Sequence, residues 1–575
     1  MWEAIGFYMN KHDIIHILNE IGILLEIKGE SFFKSKAYYD AARAIEFMDE
    51  DIELLVKEDK LKELKGFGTA LSQKIGELVT TGKLLYYENL KESIPQGLID
   101  MLKIPGLGPK KVRAVYEKLG ITTIGELKYA CIENRLTKLT GFGEKTQQKI
   151  LEGIENLNKY AGKFLYPHGY RLANELLKSL RESNAVIRCS ECGSLRRKKE
   201  IIKDIDILVS CNDSSQVMDI FTKHPLVETI TSKGDTKSSV ILSEGISADL
   251  RVVTDKEYPY ALHHFTGSKE HNTALRHMAK QMGIKMNEYG LFKDDLLIEC
   301  STEEDIFKVF GLQYIPPELR ENNGEFTAAS TGTLPELITI NDIKGVFHVH
   351  TNYSDGSNSI EDLVTYCTQK GFNYIGISDH SQTAYYAGGL KVDDIKRQHE
   401  EIDKLNERYR DFKILKGIEL DILPDGSVDY DDEVLSWFDF TIASVHSSFN
   451  MDEKDMTGRV IKAMKNKYVS ILGHPTGRLL LSREPFKIDI KEIIKTAAEE
   501  KVVLEINANP HRLDMDWRYL KSALEEGCRF VISPDAHRLE GIDDIEYGIN
   551  VARKGWLSAE SVINTMDWEI LRFGK

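Results

Sequence analysis

The chain lacks any run of 18 apolar residues and any leader of the kind removed on secretion. No membrane association is therefore expected, and a cytoplasmic location is. Cysteine is scarce: seven in 575 residues, without regular spacing, which excludes a disulfide scaffold. Cys189 and Cys192 form a lone CxxC. With no second pair nearby they read as reduced thiols in a packed element, not as a zinc site. No oligomerisation segment stands out, so a monomer is expected. Basic charge is in deficit, with 75 Lys+Arg against 91 Asp+Glu and a net charge of −16. The deficit is uneven. Residues 101–200 hold 20 Lys+Arg and 10 Asp+Glu, a net of +10, whereas the chain from 351 onward holds 29 and 40, a net of −11. A basic block within an acidic chain is an electrostatic footprint for phosphates. An acidic end suits a site for several cations. The remaining composition, 42% hydrophobic and 29% charged, is that of a protein with several domains, each burying its own core.

The first 95 residues read as helices, with apolar positions at helical spacing in HILNEIGILLEI and AYYDAARAIEFM. An internal repeat follows: LKGFGTALSQKI, IPGLGPKKVRAV and LTGFGEKTQQKI. Each carries a glycine pair (Gly66/Gly68, Gly106/Gly108, Gly141/Gly143) with an apolar residue between, then a basic amphipathic helix. The repeat resembles the helix-hairpin-helix motif. Glycines let the backbone turn tightly, so amide groups at the next helix start can face a DNA phosphate. Such contacts read no base, so binding is expected to be sequence-independent.

From about residue 165 the pattern is mixed. AVIRCS, DIDILVS and SADLRVVT read as strands. Residues i and i+2 of a strand share a face, so Asp204 and Asp206 can bind divalent metal together. Asp249 can bring a third carboxylate from a neighbouring strand. Two metals there would lower the charge on a triphosphate and activate an attacking 3′-hydroxyl. In GSLRR just upstream, Gly193 and Ser194 would approach the phosphates by backbone and hydroxyl. Arg197 would balance charge on the β- and γ-phosphates. Residues 321–338 (ENNGEFTAASTGTLPELI) are polar and Gly/Thr-rich and read as a linker.

Seven strand-like runs come next: GVFHVHT, NYIGISDH, KILKGIEL, FTIASVH, YVSILGHP, KVVLEINA and RFVISPDAH. Their alternation with helices implies a parallel sheet closed into a barrel, with the active site at the strand C-terminal ends. His348, His350, Asp355, His380, Glu419, His446, His474, Asp535 and His537 fall at that edge. Imidazole and carboxylate donors suit zinc, manganese or iron. His348 and His350 are expected on one strand face. Asn507 and Arg512 are candidate phosphate contacts.

The order of GSLRR, DIDIL, the third aspartate and HFTGSKEHN resembles the family X DNA polymerases, over roughly residues 1–320. The resemblance implies two-magnesium nucleotidyl transfer from dNTPs onto gapped or nicked DNA. It makes Asp204, Asp206 and Asp249 the catalytic metal aspartates and matches Arg251 to a family arginine. It places Phe265, Thr266, Gly267 and Ser268 along the incoming sugar and base, with Asn272 and Arg276 beside the nucleotide and template. His264-Phe265 stands where the family often has Tyr-Phe, so ribose exclusion is expected to rest more on backbone than on the ring. GFGTALSQKIGELVTTGKL resembles the family's lyase segment. Lys74 takes the Schiff-base position, and Lys34 and Tyr38 match the 5′-phosphate pocket, where Ala70 replaces another lysine.

Residues 340–575 resemble the polymerase and histidinol phosphatase (PHP) superfamily. That implies three metal ions, Mn2+ or Zn2+, with Glu419 bridging two. Together the two parts resemble the bacterial and archaeal repair polymerases called PolX, which implies gap filling with 3′–5′ exonuclease or 3′-end-processing activity, and abasic-site endonuclease activity as a further expectation. The alternatives are a small-molecule phosphoesterase of histidinol-phosphatase type with a DNA-binding N-terminal region, and a non-catalytic DNA-end scaffold. The expected fold is multidomain: helical N-terminal domains with helix-hairpin-helix motifs, an α+β nucleotidyltransferase palm and a C-terminal α/β distorted (β/α)7 barrel. The expected division is 1–95 lyase-like, 96–160 helix-hairpin-helix, 161–260 palm, 261–320 nucleotide-contacting subdomain, 321–338 linker and 339–575 PHP domain.

Overall fold

A computed structural model describes residues 11–46, 48, 52–58, 60–63, 67–132 and 135–571. The chain divides into two units, with the boundary after Ala161. No helix among the described residues is long and apolar enough to cross a membrane.

The first unit is helical. Helices Lys11–Lys28, Phe32–Glu46, Thr69–Thr81, Pro109–Leu119 and Glu144–Tyr160 provide most of its frame. Their apolar stripes meet in one core that includes Leu18, Ile45, Ile75, Leu98, Val112 and Ile150. Side chains from both sides of the expected boundary at residues 95 and 96 therefore share that core. Gly68, Gly108 and Gly143 each cap the start of a helix. Gly106 and Gly141, two residues earlier in their repeats, have φ of +80° and +88°, a turn conformation that glycine adopts without penalty. Gly66 lies outside the described residues.

The second unit begins with a five-stranded sheet of β1 (Val186–Glu191), β2 (Asp204–Cys211), β3 (Val227–Lys233), β4 (Lys237–Leu242) and β5 (Ser247–Val253), ordered β1-β2-β5-β4-β3. Only β2 and β5 run parallel among its pairings. Helices Tyr166–Arg181 and Ser214–Thr222 pack Leu172, Leu176, Val217 and Phe221 onto this sheet. Helices Tyr258–Thr266 and Lys269–Gln281 follow, then a small antiparallel sheet of β6 (Ile284–Asn287), β7 (Gly290–Lys293) and β8 (Leu296–Ile298).

The stretch 321–338 is not the linker expected from its composition. It contains a helix, Glu325–Thr331, and Glu325 is fully buried against His271 at 2.9 Å. Ala329 and Leu337 join an apolar core with Leu275 and Phe307. Polar composition conceals this packing because the buried carboxylate is satisfied by a partner far away in sequence.

The last part is a parallel seven-stranded sheet in sequence order. Its strands are β9 (Gly345–Val349), β10 (Tyr374–Ile377), β11 (Lys413–Asp421), β12 (Phe440–Ser444), β13 (Ile471–Leu472), β14 (Val503–Asn507) and β15 (Phe530–Ser533). The first strand and the segment after the last meet: the His350 amide donates to Ala536 O at 2.8 Å, and the Ala536 amide donates to His348 O at 3.2 Å. The sheet thus curls into a nearly closed barrel. Its strands are buried on both faces, which is why they read as continuous apolar runs.

Candidate active sites

The first site lies on the five-stranded sheet. Asp206 sits in register with Asp249 on the neighbouring parallel strand, and Asp204 lies two residues before Asp206 on the same face. Burial, then the nearby Asp204 and Asp249 carboxylates, push Asp206 up to about 6. Three carboxylates held this close repel one another unless cations lie between them. The chain's own cations here include Arg251 and Lys237, the latter 2.7 Å from Asp249. The donor set fits divalent metal.

Gly193 is required by contact as well as conformation. Its φ is +58°, and a Cβ there would lie 2.2 Å from Asp206 Oδ2. Ser194 follows in the short helix Gly193–Arg196. Arg197 is tied to the chain itself through two of its three nitrogens. Its Nη1 donates to Thr266 O at 2.7 Å and Gly267 O at 3.0 Å, and its Nε to Glu321 at 3.2 Å. Its guanidinium thus holds the backbone of the TGS segment through Nη1 and meets Glu321 through Nε. Arg196 donates to Thr266 Oγ1 and Glu303. Asn272 holds the same segment, donating to His264 O at 2.7 Å, and a Cβ on Gly267 would strike its Oδ1. Ser268 caps the helix that carries Asn272 and Arg276, and Arg276 Nε donates to Asn272 O. The Arg251 guanidinium lies 4.4 Å over the Phe265 ring. The two thiols of the CxxC are free, and Cys192 is buried.

The second site fills the barrel mouth. Glu419, on β11, is its centre. Glu419 Oε1 lies 3.2 Å from His348 Nε2, 3.2 Å from His446 Nε2 and 3.1 Å from His474 Nε2. Its Oε2 lies 2.9 Å from His380 Nδ1 and 3.7 Å from His350 Nε2. Asp535 Oδ1 lies 3.3 Å from His350 Nε2 and 3.5 Å from His348 Nε2. Asp355 bridges outward, 3.8 Å from His350, 3.7 Å from His380 and 3.4 Å from His537. All nine expected donors therefore converge. They fall into three overlapping groups within coordination reach: His350, Asp355, His380 and His537; His348, His350 and Asp535; His380, Glu419 and His446. His348 Nε2 and both ring nitrogens of His350 are buried without a hydrogen-bond partner among the described residues. Buried orphan nitrogens beside carboxylates are what cations would satisfy, so the site fits metal.

Electrostatics agree. Burial alone would raise the Glu419 carboxyl, yet His446, His348 and His380 hold it well below the usual range. Burial opposes protonation of His446, but Glu419 and Asp421 bring it up to about 10. His348, His474 and Asp535 have φ of +58°, +24° and +53°. Non-glycine residues in this region are strained, and strain concentrates at functional sites. The pairing of β9 with β10 is irregular between Val346 and Val349, so His348 and His350 converge through this distortion and not through simple strand alternation.

Several residues of the site are absent from the expected set. Glu505 is fully buried; its carboxylate pairs with His348 Nδ1 and accepts from the His474 amide at 2.6 Å. Asp421 pairs with His446 Nδ1. Asp379 is fully buried and accepts from Thr351, Ser354 and Gln398, which fixes the loop leading to Asp355. The available signal was an acid inside an otherwise apolar strand, as in KVVLEINA. Asn507 is not placed as a phosphate contact: its amide donates to Glu505 and Asp535 and it is fully buried. Arg512 Nε lies 3.6 Å from Asp535 with its side chain partly exposed.

In the first unit, Lys74 Nζ donates to the Tyr38 hydroxyl and lies 3.3 Å from the centre of the Tyr86 ring. Burial and then Lys34 lower its pKa from the ordinary lysine value. Lys34 pairs with Glu30 at 3.3 Å. Ala70 is exposed. A Cβ on Gly68, Gly108 or Gly143 would meet nothing within 4 Å among the described residues.

Residues 9–84 match a helix-hairpin-helix domain and residues 98–156 a SAM-like helix-hairpin-helix tandem. Residues 261–321 match the DNA polymerase beta thumb, and residues 347–509 the PHP domain. The chain is 40% identical over 560 residues, 97% of each chain, to the DNA polymerase/3′-5′ exonuclease PolX of Bacillus subtilis (strain 168). It is 22% identical over 291 residues to DNA polymerase lambda of Rattus norvegicus, covering 45% of this chain and 48% of that one. It is 27% identical over 235 residues to a probable phosphatase of Thermoanaerobacter sp. (strain X514), covering 38% of this chain and 89% of that one. On this likeness over 97% of the chain, joined to both donor clusters, the chain belongs to the PolX family, the family X DNA polymerases with a C-terminal PHP domain.

Proposed function

We propose that the chain lengthens DNA 3′ ends at the Asp204–Asp206–Asp249 face and shortens them at the barrel mouth. It is a DNA polymerase and a 3′–5′ exonuclease, acting in DNA repair. The observation that carries this reading is the presence of two separate donor clusters in a chain aligned over 97% of its length with a bifunctional relative. The small-molecule phosphoesterase reading rests on a match covering only 38% of the chain.

Divalent cations, when bound, neutralise phosphoryl charge and make an attacking oxygen more nucleophilic. At the polymerase site Asp204, Asp206 and Asp249 would hold two Mg2+. Gly193 leaves room beside Asp206, and Ser194 faces the phosphates. Arg197 holds the Thr266–Gly267 backbone and Asn272 the His264 carbonyl just before it, which supports a sugar gate built from main chain beside His264 and Phe265. Ser268 and Arg276 position the helix behind it. At the barrel mouth the nine donors would hold up to three ions, Mn2+ or Zn2+. Glu505 and Asp421 would accept from the Nδ1–H of His348 and His446, leaving each Nε2 lone pair aimed at the centre. Arg512 would receive the phosphate.

The substrate is DNA with dNTPs, and gapped or nicked DNA suits it best. The open helix starts at Gly68, Gly108 and Gly143 leave space for phosphates to approach the amides. Lys74, with Lys34 and Tyr38, would attack the aldehyde of an abasic sugar. Abasic-site endonuclease activity at the barrel, a monomeric state, a cytoplasmic location and a division of the rest of the chain into 161–260, 261–320 and 339–575 complete the reading. The test is a primer–template assay in Mg2+ or Mn2+, with and without dNTPs. Lengthening with dNTPs and shortening without them are expected; activity only on small phosphate esters would overturn the reading.

A further inference from the structure

Lys554 ends the last barrel helix, Ile545–Lys554, and is among the most completely buried side chains of the chain at 1% exposure. A lysine is almost never buried this deeply unless paired. Its partners belong to the polymerase portion. Lys554 Nζ donates to Arg197 O at 3.0 Å, to Glu318 O at 3.3 Å and to Glu321 Oε1 at 2.7 Å. The same Glu321 Oε1 accepts from Arg197 Nε, and Arg197 Nη1 holds Thr266 O and Gly267 O. Lys554 therefore grips Arg197 twice, directly at its carbonyl and through Glu321 at its guanidinium. Neighbouring contacts lock the same joint. Arg553 donates to Glu318 at 2.8 Å, and the buried Glu200 accepts from Trp517 at 3.1 Å and Arg518 at 3.0 Å. Burial pulls the lysine down to about 8 even with Glu321 beside it. Desolvating an ammonium is costly, and its three acceptors offset that cost.

We propose that Lys554, a residue of the exonuclease barrel, is a positioning residue for nucleotidyl transfer: it holds Arg197, and through it the Thr266–Gly267 backbone, at the nucleotide subsite. The proposal rests on the reading of Arg197, Thr266 and Gly267 as that subsite. Each polar partner of Lys554 lies on the GSLRR segment or on the segment entering the barrel, and none of them is a donor of the barrel's own centre. The barrel thereby acts on dNTP binding without touching the nucleotide.

The test uses the full chain in single-nucleotide gap filling, with kcat, KM for dNTP, gapped-DNA affinity and 3′ trimming measured side by side. Lys554→Met is expected to raise the dNTP KM at least about fivefold while DNA affinity and trimming stay within about twofold, the pattern of lost nucleotide positioning. An unchanged KM overturns the proposal. Should Lys554→Met lose both activities through misfolding, Glu321→Gln decides. It keeps the lysine and the volume, and is expected to raise KM about threefold with trimming retained; unchanged KM, or loss of both activities again, overturns it. Arg197→Ala separates the proposal from the reading beneath it. A raised KM in Arg197→Ala with none in Lys554→Met sinks the role of Lys554 alone. No change in Arg197→Ala sinks the nucleotide subsite as well.

Discussion

At Glu419 one buried carboxylate faces the imidazoles of His348, His380, His446 and His474, each within 3.2 Å. Which nitrogen each ring presents depends on what holds the other, and for His348 that is Glu505. Glu505→Gln should lower metal affinity at the barrel by roughly 10–100-fold, as loss of such outer partners does. Metal titration of trimming would show it, with primer extension unaffected; undiminished affinity contradicts the assignment. Gly193→Ala should cut extension about tenfold or more and spare trimming, since the new Cβ must displace Asp206 or its strand. On the proposed lyase role, in which the lowered amine beside Tyr38 attacks the sugar aldehyde, Lys74→Ala should abolish borohydride trapping on a 5′-abasic sugar. Persistent trapping would place the lyase lysine elsewhere. The nine donors were legible in the sequence because they lie within or just beyond apolar runs at a barrel edge, Asp355 in the loop after the first of them. Glu505 and Asp421 were not, since nothing in LEIN or GIELDI distinguishes an acid that orients a histidine from one that binds metal. The placement of Arg197 was hidden too: it depends on Glu321, 124 residues later.

At the scale of elements, the two chemistries use different strand relations. The polymerase face needs two parallel neighbours so that Asp206 and Asp249 fall in register. The barrel needs seven strand ends around one mouth. Both were readable as strand runs, from period-two spacing in DIDIL and continuous apolar stretches later. The segment 321–338 reads as a linker from its composition, which carries no sign of the Glu325–His271 pair. The convergence of His348 and His350 through an irregular β9 pairing was likewise invisible, since backbone strain has no sequence signature. The helix starts of the first unit make a separate prediction. Gly108→Val with Gly143→Val should weaken DNA binding equally for unrelated sequences, at a stability cost of about 1 kcal/mol per site or less. Both glycines have φ that other residues adopt, and their Cβ positions are open. Fluorescence anisotropy and thermal melting would check it; unchanged affinity would remove these turns from the DNA interface.

At the scale of the whole molecule, one chain carries two donor clusters with no residue in common. Their chemistry is therefore separable, while the Lys554 joint lets the barrel tune nucleotide binding. Exhaustive chelation followed by Mg2+ or Mn2+ return should restore each activity with its own metal dependence. The most direct measurement takes two variants to the same labelled primer–template and scores length over time. Asp204→Ala with Asp206→Ala is expected to abolish extension and keep 3′ trimming; His348→Ala is expected to abolish trimming and keep extension. Loss of both activities in either well-folded variant would contradict the account.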